Sequence, residues 1–368
     1  MTENSLTIMQ IAPIFLPISK DMKYAGTERV IMYLDQAFTR LGHRSIVAAP
    51  RDSQVSGILY PTISHSIWKV NKEHREMRDS DELTQIHYGM CVDLMLKNGI
   101  DVVHDHPGDS ITSSEAYKRN GSKIKTPILI TLHEAYFEGG NNRYDSWKNL
   151  FNQGRQIYFI TISDSQGREF KKRAGIESEV IHHGVPLDLF EFQEKPTDYL
   201  FSLGRISPEK GQHLAIKVAK KIGMPLVLAG EVHSHERKYW EELVKPHIDG
   251  EQIKFIGPLD DRQKAEWYRN ASAFLMPIQW DEPFGLVMIE SMACGTPVIA
   301  YSRGSVPEIV KDGKTGFLVE RDDLEAMVQS VKNISQIDRK NCRRHIEANF
   351  TIGRQAQNYV NLYRRILV

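Results

Sequence analysis

Short runs of aliphatic and β-branched residues alternate along the chain with longer stretches whose apolar positions recur every three or four residues. In the first half, strands are predicted at Thr7–Ala12, Ser45–Ala49, Asp101–His104, Ile128–Leu132, Ile157–Ile162 and Glu179–His182. Between them, Glu28–Leu41 sets Val30, Leu34, Phe38 and Leu41 on one helical face. The second half repeats the scheme, with strands at Tyr199–Leu203, Leu226–Ala229, Ile253–Ile256, Ala273–Met276 and Pro297–Ala300. Helices are predicted there at Glu209–Ile222, His235–His247, Arg262–Asn270 and Gly285–Ala293. Strands alternating with helices predict parallel sheets covered on both faces. Two such series predict an α/β chain of two Rossmann-like domains, residues 1–192 and 197–347, joined through the polar stretch Glu191–Asp198. After Thr315-Gly-Phe-Leu-Val only helices are expected, at Asp322–Lys332, Asp338–Glu347 and Gly353–Ile366. The last of these, about 351–368, has no place in the second sheet and is expected to cross back to the first domain.

A length of 368 residues agrees with two domains at roughly 150 residues each. Forty-seven basic residues balance forty-seven acidic ones, whereas a protein that grips nucleic acid through its phosphates shows a basic surplus. No nucleic-acid partner is therefore expected. Cys91, Cys294 and Cys342 are far apart and form no CxxC pair, which argues against a disulfide framework or a thiolate zinc site and suits a reducing compartment. No apolar run approaches the ~18 residues that span a bilayer, and the start lacks the layout of a secretory signal. The expected location is the cytoplasm, with at most peripheral contact at the cytoplasmic membrane face.

Each half opens with a strand, a glycine-containing loop and a helix. The first loop runs from Pro13 to Gly26-Thr27-Glu28-Arg29, the second from Gly204 to Gly211. Such loops direct free N–H groups and a positive dipole end at an anion, although purely structural turns also contain glycine. In the second loop Arg205 follows the strand directly and Lys210 is predicted at the start of the next helix, both at the carboxyl edge of a parallel sheet, where α/β ligands bind. Two fixed cations there suit a diphosphate that gains charge as a bond breaks; the plain alternative is a surface pair of Arg205 with Glu209. Neither GxGxxG nor a Walker P-loop is present, which disfavours a nicotinamide dehydrogenase.

The segment Pro277–Pro307 carries most information. Glu282 lies in a loop after a strand, Pro283 shapes that loop, Phe284, Gly285 and Leu286 open a helix, and Glu290 follows within ~8 Å of the helix start at 1.5 Å rise per residue. Carboxylates accept paired hydrogen bonds and can hold a vicinal diol, so the order suits a sugar, a diphosphate and a ribose.

EPFGLVMIESMACGTPVIA, with Glu282 and Glu290 separated by seven residues, resembles the family-4 retaining glycosyltransferases of the GT-B fold. YAGTERV (Tyr24–Val30), TLHE (Thr131–Glu134), ISDSQ (Ile162–Gln166), IHHGVPLDLF (Ile181–Phe190), LGRISPEKG (Leu203–Gly211), LAGE (Leu228–Glu231) and RGSVPEIVKDGKTGFLV (Arg303–Val319) extend the resemblance in order along the chain. The nearest branch is the UDP-glucose-dependent one, including tetrahydrobiopterin-type glucosyltransferases. The resemblance implies two parallel sheets facing across a cleft, and a nucleotide-sugar donor, most of all UDP-glucose, whose hexosyl group passes to a small-molecule or saccharide hydroxyl. It implies no metal and no cofactor. Arg205 and Lys210 would bind the diphosphate, Glu290 the ribose, and Glu282, with Pro283, Phe284, Gly285 and Leu286, the transferred sugar. His133 would lie near the sugar's C6 side, Gly26 would let the first loop approach the phosphates, and Gly257-Pro258 would flank the base. Ala25 departs from the family, which often has a second glycine there, and should tighten the first loop.

Acceptor contacts are expected from His104, His106 and Glu134, within the loops Pro13–Tyr24, His104–Asp109 and Glu134–Arg143. His104-Asp105-His106 has the spacing of two metal ligands but no assignable third, and Asp79-Ser80-Asp81 sits in the charge-dense stretch Lys69–Asp81 rather than after a strand. His182-His183 and His233-Ser234-His235 read as structural or exposed, and Trp240, Trp267 and Trp280 as packing residues, Trp280 being near enough to Glu282 to line the cleft. A nucleotide-sugar epimerase and a catalytically inactive nucleotide-sugar-binding protein are the alternatives.

Overall fold

A computed structural model of the chain describes residues 5–23, 25–69, 80–107, 110–134 and 141–368. Tyr24, Asp79, nearly all of Lys69–Asp81, Asp109 and part of the Glu134–Arg143 loop lie outside the described residues. Thirteen strands are described, and each half of the chain folds its strands into its own sheet.

In the first sheet β1 (Thr7–Ile11) lies between β2 (Arg44–Pro50) and β4 (Val102–Asp105); β3 (Ile58–Ile63) pairs outside β2. Beyond β4 follow β5 (Ile128–Leu132), β6 (Ile157–Thr161) and β7 (Glu179–Val180), giving the order β3-β2-β1-β4-β5-β6-β7, all parallel. The second sheet has the order β10-β9-β8-β11-β12-β13, also parallel. Its strands are β8 (Leu200–Leu203), β9 (Leu226–Ala229), β10 (Ile253–Phe255), β11 (Ala273–Met276), β12 (Val298–Tyr301) and β13 (Gly316–Val319). Both are doubly wound, and in both the strand order reverses beside the first strand: at β1/β4 in one and β8/β11 in the other. In such sheets the crevice outside the carboxyl ends at the reversal is where a ligand finds room.

The central strands are buried on both faces: β5, β9, β11 and β12 have no exposed residue. β3 escapes a reading by pattern because Pro61 interrupts it. Pro61 is tolerated because β3 is an edge strand, with a register shift opposite Ala49/Pro50. The helix Ser80–Leu96 also lacks a clear apolar stripe, and buries His87, Tyr88, Cys91, Val92 and Met95. The predicted helix His235–His247 is instead a broken run of short 3-10, α and π turns. Pro246, with no N–H to donate, falls in its last turn.

The chain divides into a unit of 1–182 with 355–368 and a unit of 183–354. The switch thus comes earlier than the polar stretch at Glu191, because 183–192 is bonded into the second unit: Val185 N–H donates to Phe350 O and Arg343 to Phe190 O. Within the first unit, the C-terminal helix Ile352–Ile366 reaches the sheet through Tyr359, whose hydroxyl is 3.2 Å from Thr131 Oγ1, and Tyr363, 2.7 Å from His104 Nδ1. No helix among the described residues is long and apolar enough to cross a membrane. Cys91, Cys294 and Cys342 are all buried free thiols.

Two features of the first unit have measurable consequences. Ala25 stands at φ 146°, in the region that favours glycine, and is buried at the entry to the first helix. Such a residue stores about 1–3 kcal/mol, against roughly 0.5–1 kcal/mol for glycine's extra freedom in the unfolded chain. Ala25→Gly is therefore expected to stabilise the protein by about 1 kcal/mol, read as a higher urea midpoint; a lower midpoint would contradict the strain. The second feature is a set of buried titratable groups. Burial lowers the pKa of His87 to about 3 and that of His104 well below its usual value, so both stay neutral when folded. The unfolded chain takes up those protons below pH ~6.5, and stability falls by ~1.4 kcal/mol per pH unit per histidine as pH drops. Glu28, raised to about 7 by burial, opposes this: its contribution is complete below about 4.5 and is lost as pH rises through 7. His133 is lowered to about 3 as well, so three histidines outweigh one glutamate and the urea midpoint should fall from pH 6.5 downward, most steeply below about 4.5. A flat profile would remove the argument.

Candidate active site

At the strand reversal of the second sheet, the loop after β8 and the loop after β11 lie side by side. Gly211, at φ 72°, has no room for a side chain, since a Cβ there would run into Pro277 O. That close approach joins the two loops. Pro208–Lys210 forms a single 3-10 turn, and Gly211 separates it from the helix Gln212–Ile222. Lys210 therefore precedes that helix instead of beginning it.

The Lys210 ammonium donates to Glu282 Oε2 at 2.6 Å, the Trp280 indole N–H donates to the same oxygen at 2.8 Å, and Lys210 Nζ stands 4.8 Å from the Trp280 ring centre. The carboxylate is thus held by two donors, one of them charged, in a largely enclosed place: the side chains of Lys210 and Glu282 are 22% and 10% exposed. The residues expected to hold diphosphate and sugar are therefore ion-paired with each other.

The Glu282 backbone is fixed from outside. Ser305 N–H donates to Glu282 O at 2.9 Å and Ser305 Oγ to Phe284 O at 2.8 Å. Gly304, at φ 56°, packs so closely that a Cβ would stand 2.5 Å from Glu282 N. Arg303 bonds Gln279 O and Asp281, completing the clamp. Gly285 (φ 83°) caps the helix Leu286–Ala293, with Pro283 and Phe284 buried behind it and Leu286 half-buried.

Arg205 leaves the end of β8 with its guanidinium 3.8 Å from Glu209, so the local pair exists, but Arg205 Nε has no hydrogen-bond partner among the described residues. Gly204 is pressed against Gly230, whose own N–H donates to Gly257 O at 2.9 Å. Arg205 and the exposed Pro258 thus belong to loops stitched together at the carboxyl edge.

Glu290, for which the family resemblance implies a ribose contact, lies in a buried place. It is 1% exposed, accepts from Lys264 Nζ at 2.7 Å and from Tyr268 OH at 3.1 Å, and Lys264 also meets Asp261 at 2.8 Å. One lone pair on each oxygen is already used. Lys264, Tyr268, Gly304 and Ser305 escaped sequence reasoning; for Lys264 the only signal is a lysine on the buried face of an amphipathic helix.

In the first unit His106 Nδ1 is 2.9 Å from His133 Nε2, and burial lowers the His133 pKa to about 3. His106 is buried and Glu134 exposed, both at the strand ends. His104 is not available to an acceptor. It is fully buried, with Nε2 at 2.7 Å from Thr131 Oγ1 and Nδ1 on Tyr363, because its ring is stacked on His106 and covered by Tyr359 and Tyr363 of the C-terminal helix. Asp105 is likewise used internally, accepting from Ser110 Oγ and Ile111 N–H. Gly26 is exposed with open space where a Cβ would stand, so the conformational demand of this loop falls on Ala25. His183 packs on Phe284, Trp240 on Phe255 and Trp267 on Tyr199 and Phe201.

Residues 189–350 match the family described as "Glycosyl transferases group 1" and residues 24–189 the one described as "Glycosyltransferase Family 4", together running through both sheets. Together the two matches support a family-4 glycosyltransferase. This glycosyltransferase is 25% identical over 310 residues to spore coat protein SA of Bacillus subtilis, a match covering 79% of the chain and 71% of the relative. It is 43% identical over 207 residues to a D-inositol 3-phosphate glycosyltransferase of Streptomyces avermitilis, covering 47% of the chain and 42% of that protein. Among solved structures, Anabaena Alr3699/HepE in complex with UDP-glucose superposes with TM-score 0.75 at 17% identity, covering 98% of this chain and 100% of the other. The two Rossmann-like units of this glycosyltransferase are those of the GT-B fold.

Proposed function

We propose that this glycosyltransferase moves glucose from UDP-glucose to an acceptor hydroxyl with retention of configuration and without a metal ion. The observation that carries the reading is the Lys210–Glu282–Trp280 cluster at the β8/β11 reversal, with Arg205 beside it. A diphosphate arriving there offers Lys210 a doubly anionic partner in place of one carboxylate, and Arg205 Nε a first acceptor. Glu282, relieved of its ammonium, turns its oxygens to the hydroxyls of the sugar. As the bond to the diphosphate lengthens, negative charge grows on the leaving oxygen beside two fixed cations, which supply the stabilisation a divalent ion gives elsewhere. No side chain in this cluster is placed as a dedicated base, so the leaving oxygen takes the acceptor proton on the same face of the sugar. Glu290 receives the ribose on its remaining lone pairs, and Gly257-Pro258 borders the base. HepE, solved with UDP-glucose, supports the choice of donor.

Calorimetry with UDP-, GDP- and ADP-sugars tests this reading. UDP-glucose is expected to bind tightest and to be hydrolysed slowly without acceptor, unaffected by a chelator. Preference for GDP or ADP overturns the donor, loss of turnover in chelator overturns metal independence, and an isomeric nucleotide sugar as sole product identifies an epimerase.

A further inference from the structure

The first unit has its own cavity of about 210 Å³ at the β1/β4 reversal, bounded by the loops after β1, β4 and β5 and by the helix Ser80–Leu96. That is below the ~300 Å³ at which ordinary ligand pockets begin, so it has room for about one ring. One wall is apolar, from Ile14, Ile67 and Tyr88; the other is polar but of an unusual kind. It consists of Thr27, Thr84, His87, His106 and His133, with Glu134 at the edge, and none of the described residues lining the cavity is a lysine or arginine.

We propose that this cavity receives the ring of an uncharged, hydroxyl-bearing acceptor and rejects acceptors whose inserted ring carries a phosphate or carboxylate. The proposal rests on the glycosyltransferase reading and adds the acceptor's chemical class. Burial keeps His87 and His133 neutral, each with a pKa lowered to about 3, so neither is a cation at physiological pH. A neutral imidazole offers one donor and one acceptor, and His106 and His133 fix each other's tautomers through their 2.9 Å bond. That is a surface for hydroxyl groups, with Tyr88 and the two isoleucines facing the C–H side of a ring. An inserted phosphate would lose its water, find no lysine or arginine among the described lining residues and face the Glu134 carboxylate, a costly burial. The contrast lies within one molecule: the reversal point of the second sheet carries Arg205 and Lys210, that of the first carries imidazoles and a carboxylate.

The test uses the full chain, the nucleotide sugar that calorimetry finds tightest, and acceptor pairs differing only by phosphate: inositol and inositol 3-phosphate, glucose and glucose 6-phosphate. Product is followed by mass spectrometry. The neutral member of at least one pair should be glycosylated at least tenfold faster than its phosphate ester. Thr84→Arg, which adds a cation at a half-buried position of the wall, should narrow or reverse that ratio about tenfold. Faster transfer to the phosphorylated members, or no transfer to any member by a protein that still binds and slowly hydrolyses donor, overturns the acceptor assignment and leaves the donor reading standing. Absence of donor binding overturns both.

Discussion

Lys210→Ala and Glu282→Ala are each expected to lower kcat/KM by 10²–10³-fold, a loss of roughly 2–4 kcal/mol of transition-state stabilisation. The two reach that loss by different routes. Removing the ammonium takes away a charge whose value grows as the leaving group becomes more negative, so kcat should fall more than KM rises. Removing the carboxylate takes away the partner of the sugar hydroxyls and leaves Lys210 more firmly on the diphosphate, so donor affinity should hold while turnover falls. Because Lys210 and Glu282 are 2.6 Å apart and share Trp280, the double variant should lose less than the sum of the singles. Thermal unfolding of each variant separates chemistry from fold. The pair retains some solvent contact, which limits its contribution to stability. Near-wild-type turnover in both single variants would remove the assignment.

The largest stability effect is expected at Arg339. Its guanidinium is buried and donates to the carbonyls of Gln193, Ala271 and Arg269 and to Thr296 Oγ1, each at 2.8 Å, with Cys294 O at 3.4 Å. Burial lowers its pKa, but only to about 10, so it remains charged at neutral pH. One side chain thereby ties together the end of the helix Asp261–Asn270, which carries Lys264 and Tyr268, and the turn after the helix Leu286–Ala293, which carries Glu290. Arg339→Ala strips five acceptors of this donor and leaves a void, for an expected loss of about 3–5 kcal/mol. In a unit of this size that is a fall in Tm of about 10 °C. Arg339→Lys should recover little, because an ammonium cannot reach acceptors spread around a planar fork. A loss below 1 kcal/mol in urea unfolding would show that water replaces the guanidinium.

The positions of the central strands rested on signals that are local in sequence. β5, β9 and β11 fall where short buried runs predict them, because a parallel strand covered on both faces must be apolar throughout. β3 and the helix Ser80–Leu96 did not announce themselves: an edge strand tolerates Pro61, and a helix covered on most sides shows no stripe. The candidate donor residues were legible for a related reason. Arg205, Lys210 and Glu282 each sit just past a strand, and a parallel sheet gathers every such position on one edge.

The amino-acid sequence by itself determined that two doubly wound sheets would form and which charged residues would stand at the edge of the second, since strand periodicity and the strand-end position are both written within a few residues. Only the tertiary structure decided their partners. Lys210 closing on Glu282, Glu290 taken up by Lys264 and Tyr268, and His104 withdrawn toward Tyr363 join positions 72, 26, 22 and 259 residues apart. Pairings of that range follow from packing in three dimensions, where a buried charge or imidazole must find a counterpart, and no spacing along the chain records them.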